Sequence, residues 1–231
     1  MKSDEVKKAH ELLDAAIEDE GPFDGVIGFS QGAALALSYL LQHEIERPHE
    51  SQPFRFAVFF SGFIPISPDP DFGAEYFAAY SKYYAGRPML EAVEEVGAKH
   101  TKAPKHRAAL LLPGKKAALV KEVVDAVWYA AEAGAASGLI QRRWDDSKGV
   151  EGFPRVFHPL AMKERVSIPT VHVIGRADPF HRHVHIPRRL CCKSLARVVE
   201  HPGGHEVPRA AVDLRMTVAA VEWAVERTRF C

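Results

Sequence analysis

Residues 23–36 have the sequence FDGVIGFSQGAALA, and this stretch decides the fold. A short apolar run, Val26–Phe29, is followed at once by Ser30 and then by an Ala/Leu-rich segment that extends to about Ile45. The run is typical of a strand that is buried on both faces, and the segment after it is typical of a helix. A serine at such a sharp strand–helix turn presents its hydroxyl at the carboxyl end of a sheet.

The residues on either side of Ser30 complete the pattern G-x-S-x-G. Gly28 and Gly32 are expected to let the strand and the helix approach closely, because neither residue carries a Cβ atom. Gln31 opens the helix, and its backbone N–H is expected to help bind an oxyanion. The same pattern also occurs in ordinary glycine-rich connections, so catalysis requires partner residues elsewhere in the chain.

Outward from this turn, strand-like and helix-like segments alternate, which predicts an α/β fold with a parallel sheet covered by helices. Residues 1–65 and 168–231 are predicted to be two parts of one core, and residues 66–167 an inserted, mainly helical cap. The predicted helices are 4–19, 32–45 and 210–227, and the predicted strands are 26–29, 54–61, 168–174 and 195–200.

Two candidate partners follow Ser30 in the order acid, then histidine, which is the order this type of fold uses. Asp178 comes just after an apolar strand, in IGRADP, where its carboxylate can reach the end of the sheet. His205 lies in HPGGHEVP, a glycine-rich loop ahead of the last helix. An imidazole that removes the serine proton and an acid that orients the imidazole make serine a nucleophile. The sequence therefore predicts a catalytic triad of Ser30, Asp178 and His205.

Charge and composition exclude several other classes of protein. Lys plus Arg and Asp plus Glu number 30 each, so no net charge attracts nucleic acid or an anionic membrane. No apolar run approaches the length of a membrane span, and the charged start carries no secretory signal. Three cysteines do not form a disulfide framework, and a cytoplasmic location is expected.

Other chemistry-bearing residues have plainer interpretations. His181, His183 and His185 alternate, a spacing that would place them on one face of a strand as metal ligands, but nothing completes a site, and a solvated loop is favoured. Cys191 and Cys192 are expected to be a helix-buried pair and not a thiol nucleophile. Aromatic side chains of the insertion could line a lid over Ser30 or form its own small core: Phe72, Tyr76, Tyr80, Tyr83 and Trp128.

Four segments carry a family resemblance: FDGVIGFSQGAALA (23–36), FFSGFIP (59–65), IPTVHVIGRADP (168–179) and HPGGHEVP (201–208). They resemble the fungal-type serine hydrolases of the FSH1 class, which share a domain with the ovarian-cancer-gene-2 proteins. The resemblance implies an α/β-hydrolase fold and a carboxylesterase or thioesterase that works without a metal or other cofactor. It implies the same triad, Gln31 as the first oxyanion donor, and acyl-chain release or trimming in polyketide pathways of fungal secondary metabolism. An acyl carrier protein is then a candidate partner.

The chain departs from this family at its start. Family members carry a strand and a His-Gly loop ahead of the serine turn, and that loop supplies a second oxyanion N–H. Only 29 residues precede Ser30, and they contain no such loop, so a truncated N-terminal part is expected. The strand at 26–29 is then expected to have an open apolar edge. Losing one oxyanion donor typically costs about 10²–10³ in rate. A catalytically impaired binding protein and an acyltransferase therefore remain as alternatives to a hydrolase.

Overall fold

The computed structural model describes residues 2–73 and 154–229, with 122–123, 125–127, 129, 133–136 and 138 between them. The chain forms two compact units, one of Met1–Asp69 with Val156–Cys231 and the other of Pro70–Arg155. Residues 66–69 and 156–167, which the sequence analysis assigned to the insertion, thus belong to the first unit. Most of the predicted cap lies outside the described residues. The residues described between 122 and 136 are helical, and the cap itself stays a prediction.

Four parallel strands form the sheet of the first unit, in the spatial order β1-β2-β3-β4. Each strand lies within two residues of its predicted position. Because all four run the same way, their carboxyl ends meet at one edge of the sheet, where the loops that follow them converge. The strands are β1 Gly25–Phe29, β2 Phe56–Phe60, β3 Thr170–Gly175 and β4 Ala196–His201.

Helices cover both faces of this sheet, as predicted. The helices are α1 Ser3–Glu20, α2 Gln31–Glu46, α3 His185–Arg189 and α4 Ala211–Arg227, with 3₁₀ turns at His181–His183 and Lys193–Leu195. Helix α2 contacts β1 and β2, whereas α4 contacts β2, β3 and β4. Among the described residues, no helix is long and apolar enough to cross a membrane.

The core under α4 is built from valines of three neighbouring strands. Val58, Val171 and Val199 are buried against Ala220 and Ala224 of the helix. Two alanines spaced one turn apart place small side chains on the same face of α4, so its backbone can lie close to the sheet. This packing fixes the sheet that carries the site.

Helix α1 is joined to α2 by a buried polar cluster. His10 Nε2 donates to Ser38 Oγ over 3.1 Å, and the Ser38 hydroxyl donates to the Ile66 carbonyl over 2.6 Å. The Tyr39 hydroxyl donates to Asp14 on α1. Burial lowers the pKa of His10 to about 4, so its imidazole is neutral near pH 7 and can take part in this network.

Strand β1 forms one edge of the sheet in the part of the chain that the structure describes. The side chains of Ile27 and Phe29 are 67% and 44% exposed. They lie on the same face as Val58, because Ile27 pairs with Val58 in register. Among the described residues β1 is therefore an edge strand with exposed apolar side chains, and its tendency to aggregate stays a prediction.

His172 gives the fold a predictable sensitivity to acid. It lies in β3, is 2% exposed and packs against Phe59 with ring centroids 5.1 Å apart. Burial, together with the charge of Arg188, lowers the pKa of His172 to about 3. The folded-state pKa lies below the unfolded value of about 6.5. The contribution of neutral His172 to the free energy of unfolding is therefore complete above about pH 6.5 and is lost as the pH falls towards 3.

We therefore expect His172→Phe to flatten the acid side of the stability profile. Between pH 7 and pH 4 the wild-type free energy of unfolding should fall by about 2–3 kcal/mol more than that of the variant. Urea unfolding at each pH measures this difference, and His10 contributes equally to both proteins. Parallel profiles for the two proteins would show that His172 does not titrate on unfolding.

Candidate active site

Ser30 occupies the turn between β1 and α2 in an unusual backbone conformation. Its φ is 54° and its ψ is −116°, a region that residues other than glycine rarely adopt. The Ser30 N–H donates to the Phe60 carbonyl over 2.9 Å, and the Ser30 carbonyl accepts from Ala34 N over 3.1 Å. The backbone of Ser30 is therefore strained, and these two hydrogen bonds hold the turn in place.

The close packing of β1 against α2 requires a glycine at position 28. A Cβ atom at Gly28 would lie 2.6 Å from both the N and the Cα of Ala33, so the strand and the helix meet there backbone to backbone. A Cβ at Gly32 would meet no atom of the described residues within 4 Å. A close approach at Gly32 is therefore not seen among the described residues, and the role expected for this glycine stays a prediction.

Asp178 lies three residues beyond β3 and is 6% exposed. One of its oxygens, Oδ1, accepts the Phe180 N–H over 2.8 Å, and Oδ2 accepts Nδ1–H of His205 over 2.9 Å. Burial alone acts to raise the pKa of this carboxyl, but the hydrogen bonds from His205 and Phe180, the charge of His205 and Ser61 together lower it. Asp178 is therefore ionised at neutral pH although it is buried.

His205 lies between the other two residues. Its Nε2 is 2.7 Å from Ser30 Oγ, and its side chain is 7% exposed. Because Nδ1–H donates to the Asp178 carboxylate, Nε2 carries the lone pair and accepts the Ser30 hydroxyl proton. The three residues predicted from their order in the chain thus lie in one continuous line of hydrogen bonds.

The loop that carries His205 is held against the turn that carries Asp178. Arg176 N–H donates to the His201 carbonyl over 2.8 Å, and Ala177 N–H donates to the Gly203 carbonyl over 3.0 Å. Within the loop, Gly203 N–H donates to His201 Nδ1 over 3.2 Å. A Cβ on Gly175 would lie 2.1 Å from the Gly204 oxygen. The sequence showed glycines around His205 but gave no sign that they touch Gly175.

Aromatic rings surround the imidazole. Phe29 and Phe180 each lie 5.2 Å from the His205 ring, and Phe63 stacks on Phe180 at 5.4 Å. The tilted and edge-on arrangements are the favourable ones for aromatic pairs. These rings keep His205 in place and make its surroundings apolar. None of the three was singled out from the sequence.

The remaining candidates have separate outcomes. Gln31 is the first residue of α2, so its backbone N–H lies at the positive end of the helix beside Ser30. His181, His183 and His185 are in helical turns and not on a strand or an irregular loop. No group of three or more His, Cys, Asp and Glu residues in the described part of the chain is placed to hold a metal ion.

The prediction of a helix-buried cysteine pair is wrong. Cys191 comes after α3 has ended, pairs with Val166 in an isolated bridge and is 3% exposed, while Cys192 is half-buried. Burial raises the pKa of the Cys191 thiol to about 12, which is unfavourable for a nucleophile. Phe72 lies in the second unit. Tyr76, Tyr80, Tyr83 and Trp128 lie outside the described residues.

The architecture is that of an α/β hydrolase. In this class a parallel sheet carries a strained serine turn after one strand, an acid after another and a histidine loop after the last. Residues 2–217 match the family model described as "Serine hydrolase (FSH1)". The chain therefore belongs to the FSH1 serine hydrolase family, which confirms the family and the fold expected from the sequence.

Curated fungal proteins agree with this assignment. The chain is 35% identical over 236 aligned residues to Esterase alnB of Emericella nidulans, covering 97% of this chain and 75% of that protein. It is 26% identical to Serine hydrolase cnsH of Penicillium expansum, covering 95% of this chain and 85% of that protein.

Among solved structures, a monoacylglycerol lipase from Paleococcus ferrophilus aligns over 96% of this chain and 75% of that chain, with 17% identity and a TM-score of 0.46.

Proposed function

We propose that the chain hydrolyses a small-molecule carboxylic ester or thioester through a covalent acyl-enzyme on Ser30. The observation that carries this proposal is the line of two hydrogen bonds, 2.7 Å and 2.9 Å long, from Ser30 Oγ through His205 to Asp178. Membership of a serine hydrolase family supports it, as does the similarity to a fungal protein named an esterase.

In the acylation step, Ser30 Oγ attacks the acyl carbon while His205 Nε2 takes the hydroxyl proton. Asp178 stabilises the imidazolium and keeps the ring oriented, because its carboxylate accepts the Nδ1 proton. The acyl oxygen becomes an oxyanion, and the Gln31 N–H at the positive end of α2 is the donor we assign to it. The bond from the acyl carbon to the leaving oxygen or sulfur then breaks, and His205 returns the proton to that atom.

In the deacylation step, water takes the place of the leaving group. His205 Nε2 removes one water proton as the water oxygen attacks the acyl carbon, and Ser30 Oγ leaves with that proton. The product is the free carboxylic acid, and the enzyme returns to its starting state. Every proton is carried by the triad and water, so the reaction requires no cofactor.

The surroundings of His205 favour an apolar acyl group. Phe29 is 44% exposed beside the imidazole and offers apolar surface next to the attacking oxygen. Burying such surface against an acyl chain is favourable by about 25 cal/mol per Å². With the family resemblance, this leads us to extend the proposal to acyl chains of fungal secondary metabolism. Delivery by an acyl carrier protein in the cytoplasm belongs to the same proposal.

Labelling with a fluorophosphonate probe tests the proposal directly. The wild-type protein should form a stable adduct that mass spectrometry assigns to Ser30, and Ser30→Ala and His205→Ala should abolish it. Ser194→Ala removes an exposed serine that contacts Cys192 outside the site, and it should label like the wild type. A folded wild-type protein that does not label would overturn the proposal and favour a non-catalytic binding protein.

A second measurement separates hydrolysis from acyl transfer. Unlabelled wild-type protein is incubated with a 4-nitrophenyl ester or an N-acetylcysteamine thioester, with and without a primary alcohol as an added acceptor. We expect the free acid as the main product in both cases. A new ester as the main product would identify an acyltransferase that uses the same acyl-enzyme.

A further inference from the structure

Three of the four parallel strands lead to a residue of the triad, and the fourth leads to Ser61. Ser30 follows β1, Asp178 follows β3 and His205 follows β4. Strand β2 lies between β1 and β3 in the sheet, and Ser61 is the first residue after it. The parallel order therefore places Ser61 at the same edge, between the nucleophile and the acid.

The backbone of Ser61 is as unusual as that of Ser30. Ser61 has a φ of 47°, and in the described part of the chain these two are the only residues other than glycine with positive φ. Ser61 N–H donates to the Val173 carbonyl over 2.9 Å, just as Ser30 N–H donates to Phe60. Gly62 follows immediately and could adopt such a conformation without strain. Backbone strain of this kind is concentrated at functional sites, where the surrounding structure holds it.

The hydroxyl of Ser61 is buried and has no regular hydrogen bond among the described residues. The residue as a whole is 2% exposed. Ser61 is one of the groups that lower the pKa of the Asp178 carboxyl, which is consistent with its place in the sheet beside the acid. An ionised carboxylate has about four lone-pair sites, and the Phe180 N–H and His205 occupy one on each oxygen, so Asp178 can accept a further donor.

We propose that Ser61 is a positioning residue that donates its hydroxyl proton to the Asp178 carboxylate and so keeps the acid ionised and aimed at His205. The inference rests on the proposed function, because it assigns Ser61 a role through the triad. Ser61 and Asp178 are both buried, and they follow neighbouring strands of the sheet at the same edge.

A purely structural role makes different predictions, and two variants separate the roles. Ser61→Ala removes the hydroxyl but keeps the Cβ, whereas Ser61→Gly removes the hydroxyl and also relieves the positive φ. If the hydroxyl matters, both variants should lose function together. If only packing or backbone conformation matters, the two variants should differ from each other, and the pH profile should not move.

The experiment measures kcat/KM for a 4-nitrophenyl ester from pH 4 to pH 9, with thermal melting to confirm folding. Both variants should lose about tenfold near neutral pH, the scale of a hydrogen bond to a charged group. Their acid limb should move up by about one pH unit, because the coupled Asp178–His205 pair loses a donor to its anion. Ser67→Ala is the matched control, because Ser67 is also fully buried but lies outside the site.

Proton NMR provides a readout that does not depend on turnover. The His205 Nδ1–H resonance, assigned by its absence in His205→Ala, reports the hydrogen bond to Asp178. This proton is present in the neutral and in the charged imidazole, so its chemical shift reports the charge. In both Ser61 variants the change of this shift with pH should be centred at a higher pH than in the wild type. An unchanged resonance and acid limb in both variants would overturn the role of Ser61. If the resonance changes in the Ser61 variants while the wild-type protein fails to label with the probe, the role of Ser61 is supported and only the proposed function is overturned.

Discussion

Asp178→Asn should lower kcat/KM by about 10³–10⁴. This is the largest loss expected from a substitution that leaves a side chain of the same shape in place. The reason lies in the two fixed partners of the carboxylate. The Phe180 N–H requires an acceptor at the Oδ1 position, so the amide oxygen of asparagine must occupy it. The amide NH₂ then faces His205 Nδ1, which has to accept a proton instead of donating one.

This reversal disables the base. With the proton moved from Nδ1 to Nε2, His205 presents a donor to Ser30 Oγ over the same 2.7 Å and can no longer remove the hydroxyl proton. The check is kcat/KM for a 4-nitrophenyl ester, together with the rate of probe labelling and the thermal midpoint. Glu200→Gln serves as the control, since it also neutralises a carboxylate but one in an exposed ion pair with Arg176. A loss of less than tenfold in Asp178→Asn would mean that another group orients the imidazole.

The convergence of Ser30, Asp178 and His205 could be predicted because it depends on properties that sequence carries directly. Apolar runs locate the strands, and parallel strands place whatever follows them at one edge of the sheet. Ser30, Asp178 and His205 each follow such a run, so their convergence needs no knowledge of side-chain packing. The fold could be predicted for the same reason, and the family model and the sheet both confirm it.

Other parts of the site depend on contacts between distant segments, which local pattern does not encode. Ser61 belongs to FFSGFIP, a segment noted only for its family resemblance, and this sequence does not predict the positive φ of Ser61. Gly32 was expected to permit close packing because it completes a motif, yet no described residue lies within 4 Å of a Cβ placed there. The cysteine pair was assigned to a helix by its neighbours, but α3 ends at Arg189.

Gly175 is the clearest example of such a contact, and Gly175→Ala should lower kcat/KM by about 10² or more. An added Cβ would lie 2.1 Å from the Gly204 oxygen and 2.4 Å from the Gly203 oxygen. Both atoms belong to backbone, so no side chain can turn away to make room. The loop carrying His205 has to move away from β3, and a displacement of about 1 Å near the reacting atoms costs this much in rate.

The substitution should disturb geometry more than folding. Gly175 has no positive φ, so alanine suits its backbone, and we expect a loss of about 1–3 kcal/mol in the free energy of unfolding from overpacking. The matched control is Gly204→Ala on the other side of the same contact, where an added Cβ would lie 3.7 Å from the nearest atom, the Ala177 oxygen. Kinetics on an activated ester and urea unfolding of both variants give the comparison. If Gly175→Ala stayed within a few-fold of Gly204→Ala in kcat/KM, the His205 loop would have to adjust without moving the imidazole. The rate would then not depend on the close contact between these two turns.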